Sequence, residues 1–238
     1  MKKLKTKPYL LISLGGALIL FVAFLAYSEV DNSLTAEDHL YIAKYLEDIP
    51  AIPANRTYEN EIDIIIQIQN SVLSKAAHKN ALPLGAKREP KDLFTAKAGL
   101  CYDRSRVIEK ILRSIGFKTR HVSIYSTKQT HSSIKSLLTP GVASHAVTEV
   151  LTQKGWLVVD SNHRWVSMDS KNNPISMAQI RLSAAGAADI AWNQIPPNKK
   201  YMNPFIYVYG LYSRHGQFYP PYNFIPDVNY RELVSNIL

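Results

Sequence analysis

The residues of this sequence that point most directly to chemistry are Cys101, His145 and Asp160. Cys101 is the only cysteine among 238 residues, so it forms no disulfide within the chain. A lone cysteine is most often a small buried hydrophobe. This one lies in the stretch GLCYD, in the first turn of a predicted helix, where free backbone N–H groups and the helix dipole stabilise a thiolate. Its position therefore favours a nucleophile.

A nucleophilic thiol needs a base, and His145 is the best placed of the seven histidines. It opens the alternating segment 145–150, which a short turn joins to a second predicted strand, 156–160. With an even number of residues in the turn, His145 and Asp160 lie on the same face of the hairpin, with Cβ atoms roughly 5–8 Å apart. Asp160 would then hold one imidazole nitrogen, leaving the other to accept the proton of Cys101.

The remaining histidines show no metal-binding pattern. His121, His131, His163 and His215 have neither HExxH spacing nor a cysteine partner, so we expect them in loops or at the surface. The sequence predicts no metal and no cofactor.

The predicted elements that position these residues are helices followed by strands. A capping box at Thr35 begins a helix that continues to Leu46, and a longer helix is expected over 59–79. The cysteine helix runs from Cys101 to Ile115, and a strand over 117–125 leads out of it. With the hairpin that follows, this order predicts an α+β domain in which N-terminal helices pack on an antiparallel sheet. The polar segment 126–144 is expected to be a loop beside the site.

The N-terminal segment predicts a membrane anchor. Residues 8–27 carry no charge, and a helix of that length covers the ~30 Å hydrocarbon core of a bilayer. Lysines precede the segment and Glu29 and Asp31 follow it, so the N-terminus is expected in the cytoplasm and the rest outside. A cleaved signal peptide is disfavoured because Phe24 stands two positions before Ala26. We therefore expect a single-pass protein of the cell membrane whose main domain is extracytoplasmic, and periplasmic in a Gram-negative bacterium.

The C-terminal region differs in composition, because seven of the 14 tyrosines fall between Tyr201 and Tyr230. We expect it to cover apolar surface rather than to form a substrate wall. The predicted organisation is a cytoplasmic N-terminus (1–7), a transmembrane anchor (8–27), a stalk (28–34), a folded domain (35–200) with core motifs at 97–162, and a Tyr/Pro-rich extension (201–238).

The formal charge of +9 includes four lysines ahead of the anchor. Because the sequence has neither an arginine-rich helix nor a Cys/His finger, we expect no nucleic-acid partner.

The three motifs occur in the order KAGLCYDRSRVIEKILRSIGFKTRHVSIY, SHAVTEV and GWLVVDSN, between Lys97 and Asn162. In this order they resemble the core of the transglutaminase-like superfamily, which has a papain-like fold. The resemblance implies that Cys101 is the nucleophile, His145 the general base and Asp160 the residue that orients it. It also implies an oxyanion hole. The sequence 81–100 offers no glutamine or asparagine for its second donor, so the donor is expected from elsewhere in the fold, for instance Gln67 or Gln69.

The resemblance implies a cysteine-dependent acyl-transfer enzyme. We expect it to hydrolyse an amide or peptide bond through a thioester on Cys101, acting on a peptide, protein or glycopeptide of the cell envelope, while residues 8–27 contact the lipid bilayer. Two alternatives stay open: a catalytically inactive binding module of the envelope, and a protein cross-linking transglutaminase. Acyl-CoA-dependent acetylation of amines uses a similar residue set and is a weaker hypothesis.

Overall fold

The structure, a computed structural model, describes residues 8–214, 217–222 and 226–237, with the backbone alone for residues 8–14. The helices are α1 (Pro8–Ser28), α2 (Ala36–Leu46), α3 (Tyr58–Lys75), α4 (Pro90–Ala96), α5 (Cys101–Ser114), α6 (Ser133–Leu138), α7 (Met177–Ala184) and α8 (Tyr230–Val234). The strands are β1 (Ala77–His78), β2 (Ala98–Gly99), β3 (Lys118–Ser126), β4 (Ser144–Thr152), β5 (Gly155–Val159), β6 (Phe205–Tyr209), β7 (Leu211–Tyr212) and β8 (Asp227–Val228).

A four-stranded antiparallel sheet in the order β5-β4-β3-β6 forms the centre of the fold. It has a packed layer on each side. One core is formed by α2–α5 with residues of β4 and β5, including Ile65, Ile108 and Val150. The other is formed by β3–β6 with α7 and the segment that follows β5, including Val147, Trp165 and Ile180. The expected α+β class with an antiparallel sheet is confirmed.

The predicted helices form because their caps and apolar spacing agree. Thr35 accepts a hydrogen bond from the Asp38 N–H (3.1 Å), and the Asp38 carboxylate accepts one from the Thr35 N–H (2.9 Å). These are the reciprocal contacts of a capping box. The helix predicted over 59–79 is α3, which ends at Lys75 rather than at residue 79. Its end differs because Ala76 takes an extended conformation. The chain then forms β1, which pairs in parallel with β2, the strand that ends two residues before Cys101.

Two predicted boundaries differ from the structure. The expected stalk, 28–34, packs on the domain, since Val30 is fully buried and Asn32 donates hydrogen bonds to Tyr212 and Glu232. The expected extension from residue 201 contributes β6, which pairs with β3 inside the main sheet. The aromatic composition of this segment does not distinguish a strand from a covering segment, because tyrosine and phenylalanine suit both.

The segment 126–144 and the histidines also depart in part from expectation. The segment contains α6, a helix too short for a clear apolar period. His131 is exposed in the same segment. His121, expected at the surface, is 1% exposed on β3, stacked on the Tyr212 ring with centroids 4.2 Å apart. His215 lies outside the described residues.

The N-terminal segment is helical, as α1. Its large side chains from Leu18 to Tyr27 are mostly exposed, whereas Ser28 and Val30 are buried against the domain. Residues 1–7 and the side chains of 8–14 lie outside the described part of the chain. Within the described part, no helix combines the length and the apolar character that a membrane crossing requires, so the anchor predicted over 8–27 is not supported.

Candidate active site

Cys101 is the first residue of α5 and is half-buried. The first hydrogen bond inside the helix runs from the Arg104 N–H to the Leu100 carbonyl (3.1 Å), so the N–H groups of residues 101–103 have no acceptor within the helix. The Asp103 carboxylate accepts instead from the Leu100 N–H, at 2.7 Å. The thiol therefore lies among free N–H groups at the positive end of a helix dipole.

Gly99 allows the chain to approach α5 closely. A Cβ atom at this position would lie 2.5 Å from Leu93 Cδ1 and 2.9 Å from Asp103 Cβ. Asp103 is itself fixed, because its carboxylate forms an ion pair with Arg88 at 2.5 Å and both side chains are buried. The glycine before the cysteine thus fixes where Cys101 lies relative to α4 and β2.

His145 and Asp160 lie together in the protein interior. A two-residue turn joins β4 to β5, since Thr152 pairs with Gly155. The even turn puts both residues on one face, on a diagonal, as the sequence predicts. The distance from His145 Nε2 to Asp160 Oδ2 is 3.1 Å, and the two residues are 1% and 0% exposed. The Nδ1 atom of His145 is left for another partner.

Cys101 acts on the same imidazole. Burial lowers the pKa of His145, but the charge and hydrogen bond of Asp160, followed by a hydrogen bond with Cys101 and its charge, raise it more strongly, to about 9. The imidazole therefore carries its proton at neutral pH. A buried imidazolium held by a carboxylate is the proton donor that acyl transfer through a thiol requires.

Asp160 is held as a carboxylate by donors on both oxygens. Oδ1 accepts from the backbone N–H groups of Asn162 (2.6 Å) and His163 (2.9 Å). Oδ2 accepts from the Tyr201 hydroxyl (2.6 Å) and faces His145. Burial raises the pKa of Asp160, but the His145 charge and hydrogen bonds from the side chains of His145, His163 and Tyr201 outweigh it, so the pKa lies well below its usual value.

Two residues of this network were not assigned these roles from the sequence. Tyr201 belongs to the segment expected as an extension, and only its contact with Asp160 reveals it. Gln69 was a candidate oxyanion donor, but its amide is engaged elsewhere. Its Nε2 donates to the carbonyls of Asp160 (2.7 Å), Trp165 (2.8 Å) and His163 (3.1 Å). The other candidate, Gln67, lines a groove with Ile49.

Arg104 supplies a buried positive charge to the site. It is 2% exposed and forms no ion pair with a carboxylate among the described residues. Its guanidinium donates to Asn162 Oδ1, and its Nε has no partner in the described structure. Burial lowers the pKa of Arg104, whereas the negative charges of Cys101 and Asp160 raise it. Arg104 thus offsets the charge of the Asp160 carboxylate.

Comparison with known proteins supports the resemblance at the level of a superfamily. Residues 51–161 match the model of the transglutaminase-like superfamily, a range that begins before α3 and includes Cys101, His145 and Asp160. A crystal structure from Cytophaga hutchinsonii, described provisionally as a cysteine protease, matches with 17% sequence identity and a TM-score of 0.38. The match covers 60% of this chain and 42% of that one, so the chain spans less than half the length of that protein. Comparison with curated proteins finds no match.

Proposed function

We propose that this protein is a cysteine-dependent acyl-transfer enzyme that hydrolyses amide or peptide bonds through a thioester on Cys101. The observation that carries the proposal is the buried contact between His145 Nε2 and Asp160 Oδ2 (3.1 Å), on the imidazole whose raised pKa also reflects the nearby Cys101. The match of residues 51–161 to the transglutaminase-like superfamily supports a cysteine-dependent enzyme at the coarse level.

In the proposed first step, the Cys101 thiolate attacks the carbonyl carbon of the substrate and forms the C–S bond. The C–N bond then breaks, and the His145 imidazolium gives its proton to the departing amine. Backbone N–H groups at the start of α5 lie where a developing oxyanion needs donors. Asp160 keeps the imidazole in the tautomer that presents Nδ1 to the sulfur.

In the second step, water attacks the thioester carbonyl while His145 accepts a proton from it. The C–S bond breaks, the carboxylic acid leaves and the imidazolium–thiolate pair is restored. We favour water over an amine as acceptor because Cys101 is half-buried rather than enclosed, and transfer to an amine needs a site that excludes water. Cross-linking of proteins is the weaker alternative. The envelope substrate and the cell-membrane location stay predictions from the sequence.

The test of the proposed roles is the alkylation rate of Cys101 by iodoacetamide at pH 7. Because Cys101 is the only thiol, all labelling reports on this site, and Cys101→Ser gives the blank. We expect His145→Ala to slow labelling by about 100-fold, the scale of general acid–base assistance. The matched control His131→Ala, in the exposed segment, should label like the wild type. Equal rates for wild type and His145→Ala would favour the inactive binding module.

A further inference from the structure

A pocket with an unusual set of charges lies beside the candidate site. It has a volume of about 250 Å³ and is lined in part by Lys128, Lys199 and Lys200, with no aspartate or glutamate in its lining. None of these three ammonium groups forms an ion pair or a hydrogen bond with a described residue. Lys128 and Lys199 are exposed and Lys200 is partly exposed, so solvent screens the repulsion among them, and an anion in the pocket would relieve it further.

The pocket adjoins the residues of the site on two sides. Val142 lines it and also belongs to the buried cluster against which Cys101 packs. Ala143, the next lining residue, stands two positions before His145 on the chain. On the other side, Lys200 directly precedes Tyr201, whose hydroxyl bonds Asp160. A substrate group in this pocket would therefore lie close to the carbonyl that Cys101 attacks.

Positive charge also surrounds His78, which pairs with Gly99 two residues before Cys101. Burial lowers the pKa of His78, and the positive charges of Arg104, His145, His163 and Lys200 lower it further. The carboxylates of Asp160 and Asp103 do not offset this charge for a ligand. Asp160 is bound by His145 and Tyr201, and Asp103 is paired with Arg88. The electrostatic field around His78 therefore attracts anions.

We propose that this lysine pocket binds a carboxylate of the acyl donor, so that the enzyme selects substrates with a carboxylate close to the scissile amide. The inference rests on the proposed function and adds to it the class of substrate. Ammonium groups bind carboxylates through charge-assisted hydrogen bonds, and acidic side chains and chain ends are the anions that peptide substrates carry. Lys199 and Lys200 precede the residue that bonds Asp160, which couples the pocket to the reacting groups.

The first test compares alkylation of Cys101 by iodoacetate, which is anionic, and by iodoacetamide, which is neutral, with glutathione as reference thiol. We expect the ratio of the two rates to exceed that of glutathione by about 10-fold at low salt, and to decline as salt screens the charges. Lys200→Ala should lower the ratio by about 3-fold. Lys171→Ala, which removes an exposed lysine from the turn after β5, is the matched control.

The second test uses acyl donors of equal length. We expect kcat/KM to be higher for 4-nitrophenyl hydrogen adipate than for 4-nitrophenyl hexanoate, and the preference to disappear in the double variant Lys199→Ala/Lys200→Ala. A preference that survives this variant, or an iodoacetate ratio equal to that of glutathione, overturns the inference. Failure of the proposed function looks different, because the iodoacetamide rate would then not depend on His145.

Discussion

The hydroxyl of Tyr201 donates a hydrogen bond to Oδ2 of Asp160 at 2.6 Å, and the same oxygen faces His145 at 3.1 Å. Tyr201 ends a short 3-10 turn, Lys199–Tyr201, and is 2% exposed. The contact joins a segment near the C-terminus to a carboxylate at the end of β5. Tyr201 is therefore a positioning residue for the His145–Asp160 pair.

Replacing Tyr201 with phenylalanine should change both stability and titration. The variant loses a hydrogen bond to a buried carboxylate, so we expect the free energy of unfolding to fall by about 2 kcal/mol. A carboxylate with one donor fewer interacts more strongly with the imidazolium, so the pKa of His145 should rise above its wild-type value. Denaturant unfolding and NMR titration of the imidazole measure the two effects. Tyr41→Phe on α2 is the control, and an unchanged His145 titration would reduce Tyr201 to a packing role.

Gln69 should be essential for holding the segment that follows Asp160. Its amide serves three buried backbone carbonyls, and Gln69→Leu leaves them without this donor. We expect the free energy of unfolding of this variant to be about 3 kcal/mol lower than that of the wild type. Gln67→Leu, two residues earlier on the same helix and partly exposed, should cost much less. Similar losses in the two variants would show that the contacts to residues 160–165 contribute little.

The His145–Asp160 pair should make stability depend on alkaline pH. The pKa of His145 is raised from 6.5 to about 9, so the folded protein holds this proton more tightly than the unfolded chain does. The resulting stability is present below pH 6.5 and is lost as pH rises to about 9. The free-energy gap between wild type and His145→Gln should therefore narrow by about 3 kcal/mol over this range. Unfolding at several pH values, with His131→Gln as control, measures the gap, and parallel curves would contradict the assignment.

Glu232 on α8 should also make the free energy of unfolding depend on pH, in a lower pH range than His145 does. Burial, and next the charge of Glu109, raise its pKa from 4.5 to about 8. Both carboxylates contact the Tyr212 hydroxyl. A raised carboxyl pKa means that stability declines as pH rises from 4.5 to 8, because the folded state must lose a proton that it binds tightly.

Glu232→Gln removes this titration. As pH rises over this range, the free energy of unfolding of the variant should increase relative to that of the wild type by on the order of a few kcal/mol. Glu29→Gln, which changes an exposed carboxylate, should follow the wild-type curve. If Glu232→Gln keeps the wild-type slope, the proton uptake belongs to another group.

The sequence predicts those parts of the fold that depend on neighbouring residues. The capping box at Thr35 and the even hairpin that aligns His145 with Asp160 depend on local spacing, and both appear in the structure. Partners brought together by distant segments leave no such pattern. Gln69 and Asp160 are 91 positions apart, and Tyr201 is 41 positions beyond Asp160. No periodicity links such pairs, so the roles of Gln69 and Tyr201 emerge only from the folded chain.

The lysine pocket illustrates the same limit. Lys128 lies 71 positions before Lys199 on the chain, yet both line one pocket beside Val142. A count of basic residues predicts only a positive net charge. Their convergence on an acid-free pocket lined by Val142 and Ala143 follows from the pairing of β3 with β4 and from the position of the segment that ends at Tyr201.

The most direct test of the central claim, that Cys101 acts as a nucleophile with His145 as its base, uses 4-nitrophenyl acetate as a general acyl donor. We predict a burst of 4-nitrophenolate of about one equivalent per protein, and an acetyl thioester on Cys101 by mass spectrometry after acid quench. The burst should be absent in Cys101→Ser and slower by about 100-fold in His145→Ala. A wild-type protein that forms no acyl adduct on Cys101, or forms it equally fast without His145, would contradict the account.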